Sequence, residues 1–287
     1  MIDLHTHSTA SDGSFSPSAL MQEAARRSLK AIALKDHDTA AGLIEAERTA
    51  KELGIIFIPG IELEIIWPSR GEFHLLGLGL SRLSPGFIKA VEEISSRREE
   101  RNLEILERMK EAGIIATYEE ISSLPGEELK SEFQRSIGRP HFASFLIKRK
   151  IVRNREQAFK RYLGKGKPFY ISKEGMEFEK AIEIIKESGG KAILAHPMSL
   201  YTGWGRLPDL LKSFKEKGLD GIEAWHPAAK VSSCKRLEEI GRGLGLIITA
   251  GSDFHGEASP DRKLGVTAGD RKIEDFYLEE LLDELPG

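Results

Sequence analysis

The sequence predicts an α/β fold, with repeating β/α units around a mainly parallel sheet or barrel and one helical insertion. Two observations predict it. Seven short aliphatic runs alternate with longer amphipathic stretches, the trace left by strands joined through crossover helices. The alternation lapses only between about residues 98 and 175, where charged helical segments take over.

The elements follow in order. Ile2-Asp3-Leu4 reads as a strand, and Ser16-Pro17 supplies an N-cap and a first-turn proline for a helix that buries Leu20 and Ala24. Residues 31–34 form the second strand. A helix through Leu43, Ala46, Ala50 and Leu53 stops at Gly54, a natural residue for the left-handed turn after a helix, before the strand at 55–58. Residues 73–80 make the fourth, and strands resume at 192–195, 221–224 and 246–249. Residues 1–97 and 176–287 are read as one barrel domain. Residues 98–175, with a break at Leu124-Pro125-Gly126, are read as a helical insertion that caps it.

At 287 residues the chain suffices for one large domain with an insertion, and two independent domains are not required. A composition of 40% apolar and 30% charged residues is that of a soluble globular protein and excludes disordered and membrane classes. The chain opens as Met1-Ile2-Asp3-Leu4-His5 with no basic and apolar leader, so a cytoplasmic location is expected, with no membrane partner. The oligomeric state is left open, and a monomer suffices. A net charge of −3 gives no general affinity for polyanions, yet residues 148–167 carry +8 and leave −11 elsewhere. The single cysteine, Cys234, excludes intramolecular disulfides and thiolate zinc sites and reads as a packed thiol. Metal chemistry here must rest on nitrogen and oxygen.

Such ligands are concentrated at strand ends. His5 and His7 share one face of the first strand, because side chains alternate with a period of two, and Asp12-Gly13 follows in a turn. Asp36-His37-Asp38 follows the second strand, Glu62 and Glu64 the third, and His74 sits in the fourth. His196-Pro197 and Ser252-Asp253-Phe254-His255 follow two later strands. In a parallel α/β architecture the C-terminal strand ends share one face, so residues remote in sequence converge there. Nine candidates result: His5, His7, Asp12, His37, Glu62, His74, His196, Asp253 and His255. One catalytic zinc takes about three protein ligands, so several ions are implied, with a carboxylate bridging two. Imidazole mixed with carboxylate suits zinc, manganese or iron.

His5-Thr6-His7-Ser8, Lys35-Asp36-His37-Asp38, Pro59-Gly60-Ile61-Glu62, His74, Ala195-His196-Pro197 and Gly251-Ser252-Asp253-Phe254-His255 resemble the ordered motifs of the PHP (polymerase and histidinol phosphatase) superfamily. The resemblance implies a distorted, TIM-barrel-like (β/α)7 barrel, a trinuclear centre and phosphoester hydrolysis by a metal-activated hydroxide. It implies one ion on His5, His7, Glu62 and Asp253, a second on Asp12, His37 and His255, and a third on Glu62, His74 and His196. Asp12 stands where many members have histidine. Lys35 replaces a common threonine and reads as a neutral surface change with no role attached.

Ile137-Gly138-Arg139-Pro140-His141-Phe142, Gly166-Lys167-Pro168-Phe169-Tyr170 and Glu223-Ala224-Trp225-His226-Pro227 resemble the branch that dephosphorylates nucleoside 5′-monophosphates or 3′,5′-bisphosphates and trims short RNA from its 5′ end. The expected partner is therefore a nucleotide or a short 5′-phosphorylated RNA. Arg139 offers a planar fork and Lys167 a point charge for phosphate, although both also read as solvated surface charges. His141 opens a helix whose N-terminus favours an anion. His226 is expected on a phosphate or the leaving oxygen, with a core histidine as the other reading. Asp38 or His226 is expected to handle protons. Trp225 and Tyr170 read as packed rather than base-stacking. The competing functions are a histidinol-phosphate phosphatase, for which the basic insertion is superfluous, and a non-catalytic, metal-stabilised nucleic-acid-binding module.

Overall fold

The computed structural model describes residues 1–68, 71–122, 134–172 and 175–285; the expected break at Leu124-Pro125-Gly126 lies outside them. The chain runs β1 (Ile2–Thr6), α1 (Pro17–Arg26), β2 (Ala31–Leu34), α2 (Leu43–Leu53), β3 (Ile56–Glu64), β4 (His74–Leu78) and α3 (Pro85–Glu111). Next come α4 (Tyr118–Ser122), α5 (Arg139–Lys148) and α6 (Arg155–Ala158), which continues into a π turn, Phe159–Leu163. Then follow α7 (Phe178–Glu187), β5 (Lys191–Leu194), α8 (Leu207–Glu216), β6 (Gly221–Trp225), α9 (Val231–Gly243), β7 (Ile247–Ala250), the short strands β8 (Val266–Thr267) and β9 (Arg271–Lys272), and α10 (Phe276–Glu284). Local chemistry sets the helix ends as expected. Ser16 accepts from the Ala19 N–H at 3.1 Å, and Gly54 ends α2 at φ 70°.

Strands β1 to β7 form one sheet in chain order, and a parallel bridge from Thr6 to Phe254 brings the segment after β7 back to β1. The result is a nearly closed, seven-stranded barrel wrapped by helices. It departs from a regular β/α repeat at β4, which pairs antiparallel with both β3 and β5. The link from β3 is too short for a crossover helix, so the chain must turn back on itself. That reversal matters for the site. His74 opens β4 opposite Glu64, so a strand's first residue lands at the barrel end where the other strands finish. Strand β3 also runs on past Gly60, and Glu62 therefore lies within the strand, paired with Leu76, rather than after it.

Buried apolar side chains form two clusters. The larger fills the barrel and its helices; the smaller runs from Ile105 to Phe169 and contains Phe142, Phe145 and Leu146. Helix α3 serves both, with Phe87 and Ile94 in the first and Ile105 and Met109 in the second. A division between residues 97 and 98 thus falls inside one continuous helix. Three hydrogen bonds tie the 134–141 stretch to barrel loops: Thr39 Oγ1 to the Gln134 carbonyl, the Ser136 N–H to Ala10, and His141 Nε2 to Ser11. Among the described residues no helix is long and apolar enough to cross a membrane.

Phe142 is fully buried at the centre of the smaller cluster, so Phe142→Ala is expected to cost about 3–5 kcal/mol through lost transfer energy and a cavity. Chemical denaturation of the two proteins measures it.

Candidate metal centre

Three buried groups aim the site. Asp36 accepts from the Ser8 N–H at 2.8 Å and from the Ser8 and Ser11 hydroxyls at 2.6 Å each, shaping the turn that carries Asp12. Asp3 accepts from the N–H groups of His5, Ser252 and Gly265 and from the Ser252 hydroxyl, holding the loop that carries Asp253. Burial raises the Asp3 carboxyl to about 6 against those hydrogen bonds. Glu223 accepts from His5 Nδ1 at 2.8 Å and from the His196 N–H at 3.0 Å. Gly251 must lack a side chain, because a Cβ there would lie 2.2 Å from that of His5. His196, Asp253 and Asp38 hold positive-φ backbone at 27°, 52° and 51°, unusual for residues with side chains.

All nine candidate ligands meet at one end of the barrel. Glu62, 1% exposed, is the hub. Its Oε2 lies 3.3 Å from His5 Nε2, 3.2 Å from His7 Nε2 and 3.3 Å from His37 Nδ1. Its Oε1 lies 2.9 Å from His74 Nδ1 and 3.0 Å from His196 Nε2. Asp253 Oδ1 is 3.1 Å from His7 Nε2 and 3.6 Å from His5 Nε2. Asp12 Oδ1 stands 3.1 Å from His255 Nε2 and 3.9 Å from His37 Nε2. His5, His7, Glu62 and Asp253 make one compact ligand set, and Asp12, His37 and His255 another, which His7 joins. His37 also groups with Glu62 and His74, so it lies between two sets.

The donor chemistry fits divalent metal ions. Ligands about 2.1 Å from a common centre stand roughly 3.4 Å apart in a tetrahedral array, the spacing seen around Glu62 and Asp253. Among the described residues the buried Nδ1 of His7 has no hydrogen-bond partner. His5 Nδ1 donates to Glu223, His255 Nδ1 to the Asp253 carbonyl at 2.8 Å, and His196 Nδ1 to the Ser199 hydroxyl at 2.9 Å, which itself donates to the Glu72 carbonyl. With Nδ1 as the hydrogen-bond donor, each ring turns Nε2 toward the cluster, the nitrogen that would give up its proton to ligate a metal. His226 is wired the other way. Its Nδ1 accepts from the Ala228 N–H at 3.2 Å, so Nε2 keeps the hydrogen and points it at Asp253 Oδ2, 3.2 Å away.

The buried charges of the cluster shift one another's proton affinities. Burial opposes a charged His5, but Glu223, Glu62 and Asp253 outweigh it and raise its pKa to about 9. His7 is likewise raised, by Asp253 and Glu62 against burial. Burial and the imidazoles of His7 and His74 push His37 down to about 3 despite Glu62 and Asp12. Burial would lift Glu62, yet His37, His5 and His74 hold it well below its usual range.

The other expected residues are placed as follows. Asp38 pairs with Arg98, and its Oδ1 accepts from the Glu64 N–H at 2.9 Å, so its carboxylate is already engaged. His141 has both ring nitrogens bonded, Nδ1 by the Gly138 N–H at 3.0 Å and Nε2 to the Ser11 carbonyl at 2.9 Å. Arg139 borders the cavity above the cluster, about 1040 Å³ in volume, whereas Lys167 is exposed and does not line it. Trp225 is packed and donates to Glu238 at 2.6 Å, and Tyr170 lies under Arg139. Cys234 is buried in α9.

Lys35 corrects an expectation. It is no surface residue: it is fully buried inside the barrel, and burial pulls its ammonium to about 8 against the attraction of Glu223 and Glu62. It directly follows β2, which is buried on both faces, so the chain is still inside the barrel where the lysine side chain leaves it. Four further residues were not anticipated: Glu223, Arg98, Arg101 and Arg262, the last lying 3.0 Å from His226 Nε2 and paired with Asp253. Glu223 alone carried a sequence signal, a carboxylate inside an otherwise apolar strand.

A barrel whose strands deliver imidazoles and carboxylates to one shared cluster, beneath a cavity bordered by arginines, defines a metal-dependent hydrolase of phosphate esters. The chain belongs to the PHP domain family, which matches residues 3–165. Among curated relatives, a 5′-3′ exoribonuclease from Haemophilus influenzae is 37% identical over 88% of this chain and 89% of its own. A 3′,5′-nucleoside bisphosphate phosphatase from Chromobacterium violaceum is 32% identical over 93% of this chain and 91% of its own. Among solved structures, an amidohydrolase from Chromobacterium violaceum with bound sulfate and no metal has a TM-score of 0.85 at 29% identity, covering 99% of this chain and 97% of that one.

Two outcomes are expected. Glu223→Gln places an amide N–H₂ against one of two donors, so metal affinity should fall about 10–100-fold in a competitive chelator titration, with the circular dichroism spectrum kept. Ligation needs an unprotonated imidazole, and His5 stays protonated up to about pH 9, so metal uptake at pH 7–8 should release protons. The release should fade as pH rises beyond 9. Calorimetry in buffers of differing ionisation enthalpy counts the protons.

Proposed function

We propose that this phosphoesterase removes phosphate from nucleoside 5′-monophosphates or 3′,5′-bisphosphates and trims short 5′-phosphorylated RNA, using two or three divalent ions of manganese, iron or zinc. The observation that carries the reading is the shared Glu62: one carboxylate faces five imidazoles with both its oxygens, above which opens a cavity bordered by cationic side chains. His5, His7, Glu62 and Asp253 would hold one ion, Asp12, His37 and His255 a second, and Glu62, His74 and His196 a third. Bound there, such ions lower the pKa of water toward neutrality and neutralise charge on phosphoryl oxygens.

The chain's own groups do the rest. Burial lowers the His226 pKa, so the ring is neutral at pH 7; its Nε2 hydrogen is directed at Asp253 Oδ2 beside the cavity, so donation to a phosphoryl or leaving oxygen would require that substrate oxygen to take the place of Asp253 as acceptor. Asp38 fixes Arg98 instead of carrying protons, and His141 fastens the insertion to the barrel loop ahead of Asp12. Residues 98–175 act as the cap, through Arg139 at the cavity. Lys167, outside the cavity, would meet only the distal part of a longer RNA. The relatives named for RNA and for a nucleoside bisphosphate support a nucleotide substrate over a small amino-alcohol phosphate.

Metal-stripped protein reloaded with manganese should release phosphate from a nucleoside monophosphate, a bisphosphate or a 5′-phosphorylated oligoribonucleotide. His37→Ala should reduce release at least 100-fold. If every preparation binds RNA and none releases phosphate, the chain is a binding module and the proposal fails.

A further inference from the structure

Lys35 is among the largest side chains that the barrel buries completely, and its Nζ has no hydrogen-bond partner among the described residues. Its backbone N–H donates to the Thr6 carbonyl at 2.9 Å, and its stem crosses Gly60, where a Cβ would lie 3.1 Å from the lysine Cγ. Gly60 and Glu62 share one face of β3, so the lysine enters the barrel one layer below the shared carboxylate. It does not border the cavity and therefore meets the centre from inside the barrel, away from substrate.

Three ion pairs already compensate acids around the cluster. Arg98 pairs with Asp38, Arg155 with Asp12 at 3.5 Å and Arg262 with Asp253, and all three arginines line the cavity. Glu62 and Glu223 differ: among the described residues neither has an ion pair with a lysine or arginine, and both face imidazoles. Burial would raise Glu223, but His5, His226 and Lys35 hold it at about 2. In return Glu223, Glu62, Asp3 and Asp253 attract the ammonium against the burial that disfavours it, and it remains a cation at pH 7. A buried ammonium without a hydrogen bond is unfavourable unless charge compensates it, and here that charge belongs to the carboxylates of the metal centre and its supports.

We propose that Lys35 is a positioning residue for the metal centre: a resident cation that holds Glu62 and Glu223 together in the metal-free chain and, by the same charge, weakens the binding of the ions that neutralise them. Metal and ammonium draw on the same negative charge, so whatever the lysine adds to the metal-free fold is subtracted from metal affinity. The inference rests on divalent ions occupying the ligand sets proposed above, and it adds that the chain sets their affinity from inside the barrel.

Lys35→Met keeps the length of the side chain and removes the charge; Lys35→Gln removes the charge and keeps a hydrogen-bond donor. At pH 7, each should bind manganese about tenfold or more tightly than wild type in a competitive chelator titration. Chemical denaturation should show the matching change, a wider stability gap between manganese-loaded and metal-free protein, with the loss concentrated in the metal-free form. A lysine that only filled space would shift both forms equally and leave the affinity alone. That result, or weaker manganese binding in both variants, overturns the proposal. Variants that refold only with manganese support it, whereas variants that refold in neither condition assign the lysine to packing and overturn it. Wild type that binds no manganese overturns the metal reading itself; unchanged affinity beside a wild type that binds leaves that reading standing and removes only the role of Lys35.

Discussion

The site depends on one buried carboxylate. Glu62 is excluded from solvent, which alone would push its proton affinity up, and it stays ionised because imidazoles from four other segments of the barrel surround it. No single strand could supply that arrangement. His5 and His7 come from β1 and its end, His37 from the turn after β2, His74 from β4 and His196 from the turn after β5. Closing the sheet is therefore the same event as assembling the cluster.

Around it, a supporting shell uses further buried charge. Asp3, Asp36 and Glu223 accept hydrogen bonds from the loops and rings that carry the ligands, and the three left-handed residues fix where His196, Asp253 and Asp38 can point. Buried Lys35 brings a positive charge to this acidic interior, where Glu223 and Glu62 attract it. Histidine wiring separates roles that residue type leaves equal. Rings with Nδ1 tied to an acceptor offer Nε2 to a metal, while His226 keeps its hydrogen on Nε2 and is suited to donate.

The stretch from α3 to the π turn at Phe159 borders the cavity on one side. It shares α3 with the barrel core, has its own apolar cluster, and is fastened to the loops after β1 and β2 by the bonds of Gln134, Ser136 and His141. The basic run noticed in the sequence contributes Arg155 at the cavity, paired with Asp12, but the arginines of the inner wall come from α3 and the start of α5. Charge density along the chain is therefore a poor guide to charge density in the cavity.

Sequence alone determined the seven strands, the cap of α1, the stop of α2 and the nine clustered imidazoles and carboxylates, because strand and helix periodicity and ligand chemistry are local properties. It also marked the family through short ordered motifs. Only the tertiary structure decided the rest. The reversal of β4 brings His74 to the ligand end, and the pairing of Asp38 with Arg98 engages a carboxylate that sequence offered for proton transfer. Lys35 directly follows a fully buried strand and is itself buried, and Arg101 and Arg139 border one cavity although 37 residues separate them in the chain. Burial, direction and partner are properties of the closed barrel, and they depend on contacts between residues that the sequence keeps far apart.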